Sequence, residues 1–431
     1  MAKLIVVGAG AMGLAAAYHA GKAGHDVVVV EASDTPGGMA AHFDFAGVSL
    51  ERFYHFVCKT DYPTFELMAE LGMSDRLHWV NTTMGLFNEG KLHRWGDPIA
   101  LLRFPELSLL DKVRYGIFAA ICVRRNQWAA IEKESAKTWL LLWCGQKVYD
   151  RLWRSLLDYK FYEYADSISA AWIWTRIRRI GRSRSSIMQE RLGYIDGGSM
   201  ALVDSLVQAI EQQGNRVQLN SPTVKITTKN GRVTGVDTPA GHLDADFVIS
   251  TVPTPYITAM IPDLPAEWKA RYESIANIGV ICVIYKLRQS VSPHFWVNIS
   301  EKDIEIPGII EFSNLRGFGK DHIVYVPYYM PISHEKFTWP DQNLVDESFR
   351  CLQMVNSKLT HDDVIDIKVA RLRHGQPICE PGFAAKIPPV QTPIRGLQVA
   401  DTCYYYPEDR GIAESVRLGR ALAESIGVVH Q

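Results

Sequence analysis

Two apolar runs rich in branched residues flank a stretch of small residues within the first thirty positions. The run Leu4–Val7 is apolar and rich in branched residues, which predicts a buried parallel strand. Small residues dominate the stretch Ala11–Ala23, which predicts a helix, and the valine-rich run Asp26–Val30 predicts a second strand. The chain therefore opens with a predicted β-α-β unit.

The same kind of pattern returns near the middle and the end of the chain. Strands are predicted at 217–219, 224–228 and 247–251, a further strand ends at Ala400 and Asp401, and a last helix begins near Gly411 or Ile412. Between the two halves, helical segments are predicted near 108–131, 135–157 and 167–181. A long helical insertion therefore separates pieces of one α/β domain.

Three glycines follow the first strand at the spacing G-x-G-x-x-G. Gly8 permits a tight turn, Gly10 lets the backbone approach a pyrophosphate, and Gly13 lets the helix pack closely on the strand. The N-terminus of that helix presents free N–H groups, which suits a diphosphate. Glu31 ends the second strand, where a carboxylate binds ribose hydroxyls and repels a 2′-phosphate. These residues predict a dinucleotide site that disfavours NADP.

Length, charge and cysteine content limit the classes of protein to which the chain can belong. A chain of 431 residues allows two or three domains, and a net charge of −1 gives no bias toward nucleic acid. The seven cysteines form no C-x-x-C pair and no metal-ligand spacing, which favours reduced thiols in a cytoplasm and no metal site. Apolar runs stay shorter than about 18 residues, so we expect no membrane-spanning helix.

Positive charge is concentrated in one part of the helical insertion. Six of the eleven tryptophans fall between Trp128 and Trp174. Five arginines follow within the stretch 171–190: Arg176, Arg178, Arg179, Arg182 and Arg184. This region is either a solvated basic face over a helical core or a surface that meets an anionic membrane or a phosphorylated substrate. The second alternative places a cytoplasmic protein peripherally at the inner face of the membrane.

Two further stretches distinguish a flavin from a nicotinamide. A second glycine pair, Gly37-Gly38, lets a loop pass close to a ligand, and a C-terminal helix returns to the site after Asp401. Together with "LERFYHF", "VADTCYYYPEDRGIAESVRLGR" and "PGFAAKIPP", these stretches resemble the FAD-dependent amine oxidase superfamily. That superfamily includes protoporphyrinogen oxidases and phytoene desaturases, and the likeness covers nearly the whole chain. It implies a bacterial FAD-dependent oxidoreductase.

The resemblance implies a set of cofactor contacts along the chain. The implied FAD contacts are Gly8, Gly10, Ala11, Met12, Gly13, Glu31, Ala32, Gly38, Met39, Ala40, Val224, Asp401, Arg410, Ile412 and Ala413. Val224 is expected to meet the adenine through its backbone, and the last helix to face the pyrimidine edge of the flavin, where a helix dipole stabilises negative charge. The family often has a basic residue in place of Met39 and a glycine in place of Ala400. Because no second G-x-G-x-x-G occurs, one FAD is expected, and because no Cys or His shows a linkage motif, it is expected to be non-covalent.

Residues for catalysis are harder to assign. Tyr54 and His55 follow the second glycine pair, and Tyr405 precedes the last helix, so these three are candidate catalytic residues. Monoamine oxidases often carry a lysine near the flavin N5, and the matching position here is Ile281, which counts against a simple amine oxidase. Candidate substrate-binding residues are Asn314, Tyr328 and Arg373.

These observations predict an α/β fold with a discontinuous Rossmann-like FAD-binding domain. The predicted segments are 1–85, 193–260 and 385–431 for the FAD-binding domain, 86–192 for a helical part of the substrate or membrane-facing domain, and 261–384 for its mixed or antiparallel sheet. The expected reaction is hydride removal from an apolar or lipid-linked substrate, with reoxidation by oxygen or a quinone. The alternatives are a flavin-dependent sugar-nucleotide mutase, with the arginines on a diphosphate, and a non-catalytic flavoprotein.

Overall fold

A computed structural model describes residues 1–301 and 304–426 of the chain. Its helices are α1 (Ala11–Lys22), α2 (Tyr62–Glu70), α3 (Pro98–Arg103), α4 (Leu109–Arg124), α5 (Ala136–Cys144), α6 (Gln146–Leu152), α7 (Arg154–Phe161), α8 (Ala170–Arg182), α9 (Ser199–Gln212), α10 (Ile257–Met260), α11 (Ala266–Glu273), α12 (Asp341–Val355), α13 (Phe383–Lys386) and α14 (Ile412–Glu424). Residues 302–303 and 427–431, which belong to the predicted segments 261–384 and 385–431, lie outside the described residues.

The strands group into two large sheets and three small ones. In chain order they are β1 (Lys3–Val7), β2 (Asp26–Val30), β3 (His42–Phe45), β4 (Val48–Glu51), β5 (Leu77–Thr82), β6 (Met84–Asn88), β7 (Lys91–Trp95), β8 (Arg184–Ser186), β9 (Gln189–Ile195), β10 (Arg216–Gln218), β11 (Lys225–Lys229), β12 (Arg232–Thr238), β13 (Gly241–Asp244), β14 (Phe247–Ser250), β15 (Asn277–Leu287), β16 (Trp296–Ile299), β17 (Gly308–Glu311), β18 (His322–Met330), β19 (Val364–Pro377) and β20 (Leu397–Val399).

The first large sheet is parallel and has the order β10-β2-β1-β14-β20. Its central strand pairs on both sides, with Leu4 opposite Val27 of β2 and opposite Phe247 of β14. Apolar clusters cover both faces: α1, α9 and α14 pack on one, and β11–β13 with α10 and α11 on the other. This double burial explains the continuous apolar runs of its strands. The predicted Rossmann-like α/β fold is confirmed.

The second large sheet is mixed and has the order β19-β15-β18-β17-β16-β6-β7. Only the pair β16–β6 is parallel among its described pairs. It combines residues from before and after the helical insertion, because β6 and β7 precede α3. The predicted boundary at residue 85 therefore falls inside β6, while the division into domains stays a prediction.

The helical insertion is more broken than its apolar pattern indicated. The helix predicted over 108–131 ends at Arg124, and the one predicted over 135–157 divides into α5, α6 and α7. The first break is at Gly145, whose φ of +87° no helical residue adopts. A helix near 167–181 is observed as α8. Among the described residues no helix is both long and apolar enough to span a membrane.

Helices α1 and α14 make the closest helix contact of the parallel-sheet domain. A Cβ built on Gly419 of α14 would lie 2.4 Å from the carbonyl oxygen of Met12 and 2.9 Å from the Cβ of Ala15, both in α1. Only a glycine lets the two backbones approach so closely. Because α1 and α14 both begin at the same edge of the sheet, this contact also fixes their N-termini relative to each other.

We expect Gly419→Ala to lower the free energy of unfolding by about 2 kcal/mol, because the added methyl group must push α14 away from α1. Gly116→Ala is the matched control: Gly116 also lies in a helix, and the nearest atom to its built Cβ is 3.9 Å away. That control should raise the free energy of unfolding by about 0.5–1 kcal/mol. Urea titration of the three proteins measures both effects. A Gly419→Ala protein as stable as the wild type would contradict the close packing.

Candidate functional site

A cavity of about 830 Å³ lies between the parallel sheet, the mixed sheet and the helical insertion. One end is formed by the turn after β1, the end of β2 and the start of β11. The other end is formed by β15, β18 and β19 with α7 and α8. The N-terminus of α14 lies on its wall as well. The cavity therefore opens at the carboxyl ends of the parallel strands, where α/β sheets bind their ligands.

The G-x-G-x-x-G turn lies at this edge in the manner that its spacing predicts. A Cβ built on Gly10 meets no atom within 4 Å and points into open space, whereas a Cβ on Gly13 would lie 1.9 Å from the carbonyl oxygen of Gly8. Gly8 itself has a φ of +101°. Gly8 and Gly10 line the cavity together with Ala11 and Met12. Gly13 does not line it and instead permits the close packing of α1 on β1.

Glu31 lies at the predicted ribose position. Its Oε2 accepts a hydrogen bond from the backbone N–H of Ala9 (2.8 Å), and its Oε1 accepts one from that of Ser33 (2.9 Å). These bonds hold the carboxylate beside the glycine turn, and Glu31 and Ala32 both line the cavity. Val224 lines the same end, and its N–H donates to the carbonyl of Asp237 (2.8 Å), so that N–H is already bonded within the protein.

The second glycine pair crosses directly over the first turn. The N–H of Gly37 donates to the carbonyl of Ala9 (2.8 Å), and a Cβ on Gly38 would lie 3.3 Å from the Cα of Gly10. Both glycines have positive φ, +112° and +57°. Gly38 then begins a single helical turn that ends at Ala40, and Gly38, Met39 and Ala40 line the cavity.

Asp401 organises the opposite side of the cofactor end. It is only 4% exposed, its Oδ2 accepts from the N–H of Thr254 (2.6 Å), and its Oδ1 accepts from the N–H of Cys403 (2.8 Å). The carboxylate thereby ties the end of β20 to the turn after β14. Asp401 lines the cavity beside Arg410 and Ile412, while Ala413 is buried behind them in the first turn of α14.

Two helix N-termini open on this one cavity without side-chain caps. Gly10 precedes α1 and Gly411 precedes α14, and neither offers a side chain that bonds the first N–H groups. Such groups need acceptors, and a diphosphate at α1 and an electron-rich ring edge at α14 supply them. With the open space at Gly10 and the carboxylate of Glu31, the cavity fits FAD, which brings a two-electron acceptor of hydride when bound.

The candidate catalytic residues all reach the cavity. Tyr54 stacks edge-on against Trp296 (centroids 5.6 Å apart), and its hydroxyl lies 3.5 Å from that of Tyr329. Burial holds the pKa of Tyr54 well above its usual value, so the phenol stays protonated. Tyr405 is anchored from the other side, with its hydroxyl 2.8 Å from the Oγ of Ser415.

His55 is held neutral at this wall. Desolvation by burial lowers its pKa from 6.5 to about 4. Its Nδ1 is buried and has no hydrogen-bond partner among the described residues. A neutral imidazole in the cavity wall can accept or donate one hydrogen bond without adding charge.

The three candidate substrate-binding residues lie outside the cavity wall. Tyr328 is fully buried on the opposite face of β18, where its hydroxyl donates to the carbonyl of Leu344 (3.3 Å). Arg373 is exposed, and Asn314 donates to the carbonyl of Ser292 (2.8 Å). The residues that do line the cavity at these places are Tyr329, Leu372 and His374. Because successive strand residues point to opposite faces, a shift of one position decides the assignment.

Strand alternation also decides the position that was matched to the amine oxidase lysine. Ile281 is completely buried on the far face of β15, among residues of the mixed-sheet core. Its neighbours Val280 and Cys282 line the cavity instead. The only lysine on the described cavity wall is Lys160 of α7, which the sequence pattern did not single out. A lone lysine in an amphipathic helix gives no signal that distinguishes it from a surface residue.

The arginine cluster divides between the cavity and the helix packing. Arg176 lies over the ring of Trp172 (4.6 Å) and pairs with Asp409, and Arg179 pairs with Asp61 (2.7 Å). Arg176 and Arg179 both line the cavity. These two guanidinium groups therefore face the interior.

The other three arginines bond within the chain. Arg178 lies 3.8 Å from a carboxylate oxygen of Glu408, Arg182 donates to the carbonyl of Val123 (3.0 Å), and Arg184 donates to the carbonyl of Gly96 (3.0 Å). All five arginines are half-buried. Contact of this cluster with a membrane stays a prediction.

The chain belongs to the family of flavin containing amine oxidoreductases, whose sequence profile it matches over residues 13–364. It is an FAD-dependent oxidoreductase, and the prediction of FAD as the cofactor is confirmed. Whether the FAD is held non-covalently stays a prediction.

Several curated relatives are about 25% identical to this chain over the aligned residues. It is 25% identical to the 15-cis-phytoene desaturase of Synechococcus elongatus over 333 residues, which are 70% of this chain and 67% of that protein. It is 24% identical to the Arabidopsis thaliana 15-cis-phytoene desaturase over 402 residues, 86% and 66% of the two chains. The alignment to the Capsicum annuum desaturase spans 52% of that protein. The chain thus spans between about half and two thirds of these curated relatives.

Solved structures show the same fold across nearly the whole chain. A putative protoporphyrinogen oxidase from Exiguobacterium has a TM-score of 0.77 at 18% identity and covers 98% of both chains. A reduced UDP-galactopyranose mutase has a TM-score of 0.76 at 16% identity and covers 99% of this chain and 95% of that one. At these identities the likeness concerns the fold alone.

We expect Gly10→Val to abolish FAD binding, because its side chain would enter the open space that the pyrophosphate needs. The cofactor-free variant should be as stable as the cofactor-free wild type, since no protein atom lies within 4 Å of the built Cβ. Gly317→Val is the control, because Gly317 is exposed and its built Cβ also meets nothing within 4 Å. Absorbance at the flavin bands after purification measures the loss. A Gly10→Val protein with full flavin content would contradict this placement of the cofactor.

Proposed function

We propose that this protein removes hydride from a C–H bond of an apolar or lipid-linked substrate and is reoxidised by oxygen or a quinone. The observation that carries the proposal is the composition of the cavity wall beyond the cofactor end. The apolar part of that wall is formed by Val280, Cys282, Trp296, Pro327, Tyr329 and Leu372, and the charged residues Lys160, Arg176 and Arg179 lie beside it. Such an apolar surface binds hydrocarbon by burial and shape.

The side chains of the wall serve the reaction by positioning and exclusion. Tyr54 and Tyr329 confine one side of the cavity, and their paired hydroxyls leave the rings as the main contact surface. His55 stays neutral, so it does not add a charge where a C–H bond must come close to its acceptor. Apolar walls also exclude water, which strengthens every polar contact inside. The name desaturase carried by several relatives supports a reaction that removes hydrogen from carbon.

Anaerobic absorbance spectroscopy of the holoprotein tests this function. An apolar or lipid-linked substrate should bleach the flavin band, and air or a quinone should restore it.

Tyr329→Ala should weaken binding of that substrate by about tenfold or more, because the ring is part of the apolar wall. Arg373→Ala, which changes an exposed side chain of β19, is the control and should leave the affinity unchanged. Turnover of a sugar nucleotide only after chemical reduction would favour the mutase alternative. Spectra that no candidate changes would favour a flavoprotein without a catalytic role.

An exposed apolar face on the helical insertion supports a peripheral membrane position. Helix α4 displays Leu109, Val113, Ile117 and Ile121 at intervals of four residues, which places them on one side of the helix. Neighbouring exposed residues extend this face: Leu102 of α3, Leu110 of α4, and Leu142 and Trp143 of α5. We call this set the α3–α5 face. Monomeric proteins rarely display so many large apolar side chains together.

Basic side chains accompany the α3–α5 face. Arg103 of α3, Arg114 and Arg124 of α4, and Lys147 at the start of α6 are exposed. Asp111 on α4 is bonded to Ser108, and Glu106 pairs with Arg151. Apolar side chains surrounded by cations match the interfacial layer of an anionic membrane better than another protein surface. We propose that the α3–α5 face, more than the half-buried arginines of α8, inserts into the headgroup region.

We expect the double variant Leu110→Glu/Ile117→Glu to lose binding to vesicles of phosphatidylcholine with phosphatidylglycerol, because two carboxylates would enter the interface. The control is Met354→Glu/Ile365→Glu, which changes two exposed apolar residues elsewhere. Co-sedimentation with vesicles measures the bound fraction. Equal binding by both variants would contradict the proposal, and a wild-type dimer that only the first variant dissociates would assign the face to a second copy of the chain.

A further inference from the structure

Lys160 of α7 is a buried lysine on the cavity wall without a hydrogen bond or ion pair among the described residues. It is 4% exposed. Three aromatic rings surround its ammonium group: the Nζ lies 4.4 Å from the ring centroid of Tyr329, 5.1 Å from that of Trp172 and 5.8 Å from that of Phe161. The rings favour a cation by their quadrupoles but supply no acceptor.

The nearby charges do not neutralise this lysine. Arg176, Arg410 and Asp409 are the charged groups that act on it, and Asp409 is already paired with Arg176. Arg410 donates to the carbonyl of Gly375 and to the hydroxyl of Tyr329 (3.4 Å). Among the described residues, Asp409 faces Arg176, Arg410 and Lys160, and also Arg179, which has its own partner in Asp61. Burial and the two arginines hold the pKa of Lys160 well below its usual value.

A buried amine without an acceptor destabilises the folded protein unless a ligand supplies one. Burying an ammonium group without a counter-charge is strongly unfavourable, and a methionine would fill the same space among the rings without that cost. Lysine binds carboxylate and phosphate as a point charge with three donors. The apolar wall begins directly beside it, since Tyr329 belongs to both.

We propose that Lys160 is an anion-binding residue of the substrate cavity, and that the substrate carries a carboxylate or phosphate at one end of its apolar body. The inference rests on the proposed function, because it assumes that the apolar wall binds substrate. It goes beyond that function by naming a charged group and the side chain that receives it. Arg176 lies on the same wall and contributes positive charge from α8.

Isothermal titration calorimetry of the holoprotein with four non-reducing probes tests the inference: decanoate, decanamide, decyl phosphate and decanol. The wild type should bind decanoate, or decyl phosphate, about tenfold or more tightly than the uncharged probe of the same length, because a charge-assisted hydrogen bond is gained. Comparison of the two anions tells which group the site prefers.

The variants separate an anion site from a structural contact. Lys160→Met should remove the preference for the anion and leave the affinity for decanamide within about twofold, whereas Lys160→Arg should retain a preference. Lys133→Met removes an exposed lysine of the same helical insertion and should change neither affinity. If Lys160→Met fails to retain FAD, Lys160→Gln removes the charge with a smaller change in polarity and gives the same comparison.

Each outcome decides the inference. If the wild type binds decanoate no more tightly than decanamide and decyl phosphate no more tightly than decanol, the inference is overturned while the apolar cavity of the proposed function stays intact. A Lys160→Met or Lys160→Gln protein that keeps the full anion preference would also overturn it, since the site would then lie elsewhere. Failure of all four probes to bind would overturn the proposed function together with the inference.

Discussion

The structure depends on keeping two helix N-termini uncapped and aimed at one cavity. Helices α1 and α14 begin at glycines, so no side chain bonds their first N–H groups. Their orientation is fixed by the contact between Gly419 and the backbone of α1, and α1 is in turn seated on β1 by Gly13. The parallel sheet, the two glycine turns and Asp401 all serve this arrangement. Without it, the N–H groups would need water or caps, and the cavity would lose its anion-binding end.

This constraint explains why the cofactor end could be predicted from the sequence. A site built from backbone groups needs glycines, and glycines are visible in the sequence. Gly8 and Gly37 have positive φ, and Gly10 faces open space. Buried parallel strands likewise leave continuous apolar runs, as in β1 and β14. Local sequence therefore fixes both the fold class and the position of the cofactor turn.

The substrate end of the cavity is formed by side chains, and its residues could not be predicted from the sequence in the same way. A strand alternates its side chains between two faces, so Tyr329 lines the cavity while Tyr328 lies in the core behind it. The register of β19 against β15 shifts at a bulge between Ile278 and Val280, which breaks the regular alternation that a strand pattern predicts. The helices α7 and α8 present the same difficulty, because Lys160 and Arg179 resemble surface residues until tertiary packing turns them inward.

Charged groups are also paired differently at the two ends of the cavity, and this affects how easily each end can change its ligand. At the cofactor end, backbone N–H groups and two carboxylates with fixed partners leave little to vary without losing the cofactor. At the other end, Asp61 and Asp409 each neutralise one arginine, while Lys160 lies among aromatic rings and has no ion-pair partner in the described part of the chain. Exchanging a single side chain there changes the net charge of the wall without disturbing either helix N-terminus.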